Sequence, residues 1–175
     1  NGFNGQYEGY TLTTQRNGGY AKLKGIEFSY FQQFTFLPGW WSGFGAFANY
    51  TRMDVRGNYS TGSAIALAPT SEVAGFNPEV GNLGISYTRN KLKVRVQFNH
   101  HGRYLTGFST TQSNLVYRRA RDVVDIKTGY QLTRHFDLYL DVMNVLNEAE
   151  SASEFYYHRP QTVSQQVPQF FFGIN

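Results

Sequence analysis

Strict two-residue alternation constrains this chain more than any other feature of its sequence. From Ile26 the even positions read Ile26, Phe28, Tyr30, Gln32, Phe34 and Phe36, while the odd ones read Glu27, Ser29, Phe31, Gln33 and Thr35. The pattern returns in 44–51, 82–88, 92–99, 124–132, 136–143 and 169–175. Its sharpest instance sets Leu92, Val94, Val96 and Phe98 against Lys93, Arg95, Gln97 and Asn99. Successive side chains of a β-strand point to opposite faces, so each segment predicts a strand with one apolar and one polar face. Seven strands follow, and Gln6–Thr14 is expected to add an eighth. Across this set the apolar face carries no charge, and its only non-aromatic polar members are Gln32 and Thr128. The opposite face holds Glu27, Lys93, Arg95, Asp125, Lys127, Asp137 and Asp141.

Alternation alone also fits a soluble sheet with its apolar side turned inward. Connection lengths separate the two. Pro38–Gly43, Arg89–Asn90 and Thr133–Arg134 are short, whereas Met53–Glu79, Leu105–Arg121 and Glu148–Pro168 are long and expected to lack regular structure. Short and long connections alternate, so an up-and-down barrel would collect all short turns at one rim and all long loops at the other. Outer-membrane barrels have this arrangement, with short periplasmic turns and long extracellular loops. The predicted fold class is therefore all-β, an antiparallel up-and-down transmembrane β-barrel, present in part as seven or eight strands. Its predicted location is the bacterial cell outer membrane.

Composition supports this reading. The 175 residues include 13 Tyr, 15 Phe and 18 Gly but only 5 Pro, which suits strands joined by turns. No apolar run reaches the roughly 18 residues of a membrane helix. The absence of Cys excludes disulfides and thiolate metal sites. The formal charge of +4 comes from singly scattered Lys and Arg, without the clustering expected of a nucleic-acid-binding surface. Trp40 and Trp41, in one short turn, are expected to anchor the periplasmic rim as part of an aromatic girdle.

Several segments, in order, resemble the C-terminal half of a TonB-dependent receptor barrel. Lys24-Gly25-Ile26-Glu27 is similar to a Gly-x-Glu strand start of that family, and Ala48-Asn49-Tyr50-Thr51 to its next strand. Asn77-Pro78, Asn82 to Tyr87, and Gly102-Arg103-Tyr104 resemble the hairpin that follows. Asp125 to Tyr130, then Asp141-Val142-Met143-Asn144-Val145-Leu146-Asn147, resemble the late strand with its Asn-x-x-Asn ending, and Phe170 to Ile174 the last strand. The resemblance implies outer-membrane import of a scarce ligand such as a siderophore, cobalamin or an oligosaccharide. It also implies partners: the remaining barrel strands, a plug domain and, through an N-terminal segment, TonB. Residues 1–175 are expected to be a C-terminal barrel segment without its plug, and the start at Asn1 suggests a chain processed or excised from a longer one. The rival expectations are a complete eight-stranded barrel with a structural or adhesive role, an outer-membrane enzyme and a soluble ligand-binding barrel.

No catalytic constellation, cofactor motif or metal set is apparent. His100 and His101 are adjacent on one strand and point to opposite faces, so they cannot share one ion there. The lumen-facing set Glu27, Lys93, Arg95, Asp125, Lys127 and Asp141 is read as a wall of charges compensating across neighbouring strands. Candidate ligand contacts lie on and near the long loops: Tyr59, Phe76, His101, Arg103, Phe108, Tyr117, Arg118, Arg119, Tyr156 and His158. Flat rings and guanidinium groups there suit stacking and anion capture. Arg118-Arg119-Ala120-Arg121 is a candidate contact to lipopolysaccharide phosphates beside membrane lipid.

Overall fold

Backbone pairing converts the alternation into two antiparallel sheets. The computed structural model describes residues 8–11, 19–58, 70–109, 111–154 and 158–174. Its strands are β1 (Tyr20–Gln33), β2 (Phe44–Asn58), β3 (Glu79–Arg89), β4 (Leu92–His101), β5 (Tyr104–Gly107), β6 (Val116–Arg118), β7 (Arg121–Gln131), β8 (Asp137–Met143), β9 (Glu150–Glu154), β10 (Pro160–Ser164) and β11 (Gln169–Ile174). Seven of them form one sheet in the order β1-β2-β3-β4-β7-β8-β11, and the other four form a second in the order β10-β9-β6-β5.

The large sheet is the expected meander of seven strands. Its register keeps the faces separate from edge to edge. One row runs Gln32, Ala46, Ile85, Val96, Ile126, Val142 and Phe170. The adjacent row on the other face runs Gln33, Gly45, Ser86, Arg95, Lys127, Asp141 and Phe171. A slip of one residue at the β3–β4, β4–β7 or β7–β8 pairing would turn charge onto the apolar face, so the pattern fixes the register there. Among the described residues β1 and β11 are the two edges, and the barrel is not closed. The expected eighth strand lies largely outside the described residues, and its described part, 8–11, begins as a turn.

Two expectations need correction. β1 begins at Tyr20 rather than near Ile26, and β2 runs on through Asn58, so the start of the expected Met53–Glu79 loop is strand. Alternation breaks there because Lys22 and Lys24 replace apolar residues on the Ile26 face, yet the ladder continues as Lys24↔Asp54 and Lys22↔Arg56. The 14- and 15-residue strands exceed the roughly 9–11 residues needed to cross a bilayer. The other two long connections are not structureless either. Leu105–Arg121 contains most of a β5–β6 hairpin and Glu148–Pro168 a β9–β10 hairpin, and β6 pairs with β9 to join them. These strands are three to five residues long, too short for periodicity to reveal.

The buried core sits in this small sheet. Leu115 (0% exposed), Leu105 (1%) and Tyr117 (3%) pack together with Ala74. On the large sheet the apolar face stays open: Phe28 is 58% exposed, Val96 42% and Phe172 82%. On the opposite face two rings lie over glycines. Phe47 covers Gly84 and Tyr139 covers Gly173, and a methyl group at either glycine would overlap the ring.

Candidate functional site

Two regions carry the chemically capable side chains: the polar face of the large sheet and the loop body at one of its ends. The short connections 34–43, 90–91 and 132–136 lie at the opposite end.

On the polar face the side chains engage one another across strands. Lys127 Nζ lies 3.3 Å from Asp141 Oδ2. The Arg95 guanidinium stands 5.1 Å from the centre of the Phe47 ring, within cation–π range. Ser29 donates to Asn49 at 2.9 Å, Gln97 to Asn99 at 2.6 Å, and Asn99 to Asp125 at 2.9 Å. Glu27 stands level with Thr51, and Lys93 with Thr88 and Gly129. Of the six charged residues expected on this face, Lys127 and Asp141 are the pair that meets directly among the described residues. Asp125 is held by Asn99 and by the Asn144 backbone N–H, each at 2.9 Å.

Asp125 also begins the structure that carries the loops. Asn144 follows β8 with a φ of 56°, in the left-handed region that Asn tolerates better than most residues. Its amide side chain donates to the carbonyls of Glu148 (3.0 Å) and Gln166 (2.5 Å) and accepts from the Glu148 N–H (2.9 Å). One buried residue thereby ties the end of β8 to both ends of the β9–β10 hairpin. Gln166 in turn accepts from Arg121 at 2.9 Å and donates to Glu150 at 2.9 Å, and Glu150 pairs with Arg118. Sequence reasoning gave Asn144 no role. Its place in the Asn-x-x-Asn ending was the available signal, matched by the equal φ of 56° at Asn147.

The loop body closes around Tyr117. Its hydroxyl donates to Glu72 at 2.5 Å, and Arg103 stacks 3.5 Å from its ring centre. Burial first, then the hydrogen bond to Glu72 and that carboxylate's charge, push the Tyr117 pKa above its ordinary 10.0, against the opposing pull of Arg103. The Gly75 N–H donates to the Leu105 carbonyl at 2.8 Å. Tyr117 also stands level with Ser153 of β9, so segments from three separate connections meet at one tyrosine.

The other expected contact residues are dispersed. Phe76 is exposed, His101 ends β4 level with Val80 and Arg121, and His158 is exposed beyond β9. Phe108 is half-buried, and the Arg119 N–H donates to Ser151 at 3.0 Å. Tyr59 and Tyr156 lie outside the described residues. His100 turns to the opposite face from His101, where its Nδ1 lies 2.6 Å from Asp122. Trp40 and Trp41 stack with ring centres 3.9 Å apart in a 3-10 turn over Gly39–Gly43, each 5.8 Å from Phe44.

Comparison with known proteins adds one match. Residues 1–145 fit the family model described as TonB dependent receptor-like, beta-barrel. No curated protein and no solved structure matches the chain.

Proposed function

Since this chain belongs to the TonB-dependent receptor β-barrel family, whose members serve outer-membrane transport, we propose that it forms the C-terminal wall of a receptor importing a scarce ligand. The ligand class is a siderophore, cobalamin or an oligosaccharide. The supporting observation is the open apolar face. Ile26, Phe28, Ile85, Val96, Phe98, Leu140 and Phe172 share one side of the sheet and none is buried. Soluble proteins rarely expose a continuous apolar patch beyond a few hundred Å². Acyl chains cover such a face in an outer-membrane barrel.

In this reading Glu27, Lys93, Arg95, Asp125, Lys127 and Asp141 face a water-bearing interior shared with a plug domain. The stacked Trp40 and Trp41 sit at the periplasmic interface, where amphipathic rings are favoured. The loop body stands at the extracellular mouth. Phe76, His101 and His158 would meet ligand there, whereas Tyr117, Arg103 and Arg118 hold the body together. TonB would act through a plug domain and N-terminal segment beyond residues 1–175.

The test is energised uptake. Cells carrying the full receptor are assayed for accumulation of labelled ferric siderophores, cobalamin and oligosaccharides, with and without functional TonB. TonB-dependent accumulation of one class is expected. A receptor present in the outer membrane whose loss alters none of the three would overturn the ligand classes named.

A further inference from the structure

We propose that the loop-end groove on the apolar-face side of β1 and β2 binds a phosphate-bearing lipid of the outer leaflet. The inference rests on the reading that this face meets the membrane.

The groove measures about 600 Å³ and is lined by Lys24, Ile26, Arg52, Asp54, Arg56 and Glu79, among others. Register places Lys24 opposite Asp54, Ile26 opposite Arg52 and Lys22 opposite Arg56, so these side chains share the face of Phe28 and Tyr30. Three lining cations and two carboxylates leave it a formal charge of +1, and Lys22, opposite Arg56, adds a fourth cation on the same face just beyond the lining. Both carboxylates already have partners: Asp54 lies 3.0 Å from Arg56 Nε, and Glu79 accepts from the Tyr50 hydroxyl at 2.7 Å. Lys22 and Lys24 have no ion-pair partner among the described residues. The cationic character is local, because farther along the same rim His100 is paired with Asp122 at 2.6 Å.

Position decides which anion fits. The cations flank the loop end of the apolar band: Arg52 shares its first row with Ile26, and Lys24, Lys22 and Arg56 lie beyond that row. A lipid lying against Phe28 and Tyr30 would place its phosphate at the height of Lys24 and Arg52, with its acyl chains descending along the rings. A free phosphate would use the cations and gain nothing from the apolar floor. Arg118, the earlier candidate for such a contact, is instead paired with Glu150 inside the loop body.

The experiment uses the full receptor extracted from outer membranes in mild detergent, with bound lipid counted by native mass spectrometry. Phosphorylated and dephosphorylated lipid A are the added probes. The wild-type protein should retain the phosphorylated form selectively. Since each Lys or Arg near an anionic surface is worth about a fivefold change in affinity, the Lys24→Gln/Arg52→Gln variant should bind it about twentyfold more weakly. Lys93→Gln, on the opposite face, should bind it as the wild type does. Equal binding of both lipid forms, equal loss in Lys93→Gln, or displacement by inorganic phosphate alone would overturn the proposal. Heat-modifiable mobility of each variant confirms that it is folded. A receptor absent from the outer membrane would refute the membrane reading itself, whereas a correctly inserted receptor indifferent to these cations would refute only the lipid site.

Discussion

The two sheets draw on similar residue types, yet only the smaller one buries side chains against itself. Leu105, Leu115 and Tyr117 vanish from solvent within short strands of three or four residues and the turn between them. Phe28, Val96 and Phe172, in strands of six to fourteen residues, remain open. The proposed membrane setting accounts for the difference. A loop body standing in water would need an internal core, and three connections converge on Tyr117. The large sheet would need none, because a bilayer would supply its apolar surroundings while backbone pairing across register-locked strands supplies cohesion. A sheet of this size in water would hide one face, and among the described residues this one hides neither.

Substitutions at neighbouring positions should break the comparison most sharply. Val96→Arg places a charge on the apolar face near mid-band and is expected to cost about 4 kcal/mol of barrel stability, whereas Gln97→Arg on the opposite face should cost less than about 1 kcal/mol. Heat-modifiable gel mobility of the full receptor measures both. Equal effects would mean that the two faces meet the same medium. In the loop body, Leu115→Ala should cost about 3 kcal/mol locally. Hydrogen exchange should then rise across 104–118 and 150–164 while 92–99 stays protected; simultaneous loss of both regions would show that the sheets unfold as one.

Smaller effects sharpen the division. Tyr117→Phe removes the hydrogen bond to Glu72 and should weaken docking of the 70–76 segment by about 1–2 kcal/mol, read as faster proteolysis there. The same contact gives a pH signature. Tyr117 has a folded pKa raised above 10.0, so its contribution is complete below pH 10 and is lost as pH climbs through the raised value. Proteolysis of the 70–76 segment should therefore accelerate in strong alkali for the wild type and less for Tyr117→Phe. Smallest of all, Lys127→Ala should change stability by less than about 1 kcal/mol, because the pair with Asp141 is partly exposed.

The large sheet was legible from residues alone because a period of two over six or more positions leaves no other element to form. Where the alternation lost its apolar member, at Lys22 and Lys24, the strand continued unseen, since backbone pairing does not require an apolar face. The loop body was illegible for a different reason. Val116–Arg118 is too short to show a period, and its partner Glu150–Glu154 lies more than thirty residues away, so their pairing depends on folding. Asn144 was visible within a motif, but its role as a clamp needed the positions of Glu148 and Gln166.

Site-directed spin labelling in bilayers reads the medium around each face directly, and the absence of Cys from this chain allows single labels to be placed within it. With nitroxides at Val96→Cys and Gln97→Cys in the full receptor, a lipid-facing apolar side predicts high oxygen and low nickel-reagent accessibility at position 96, and the reverse at 97. High nickel-reagent accessibility at position 96, or the same profile at both, would contradict it.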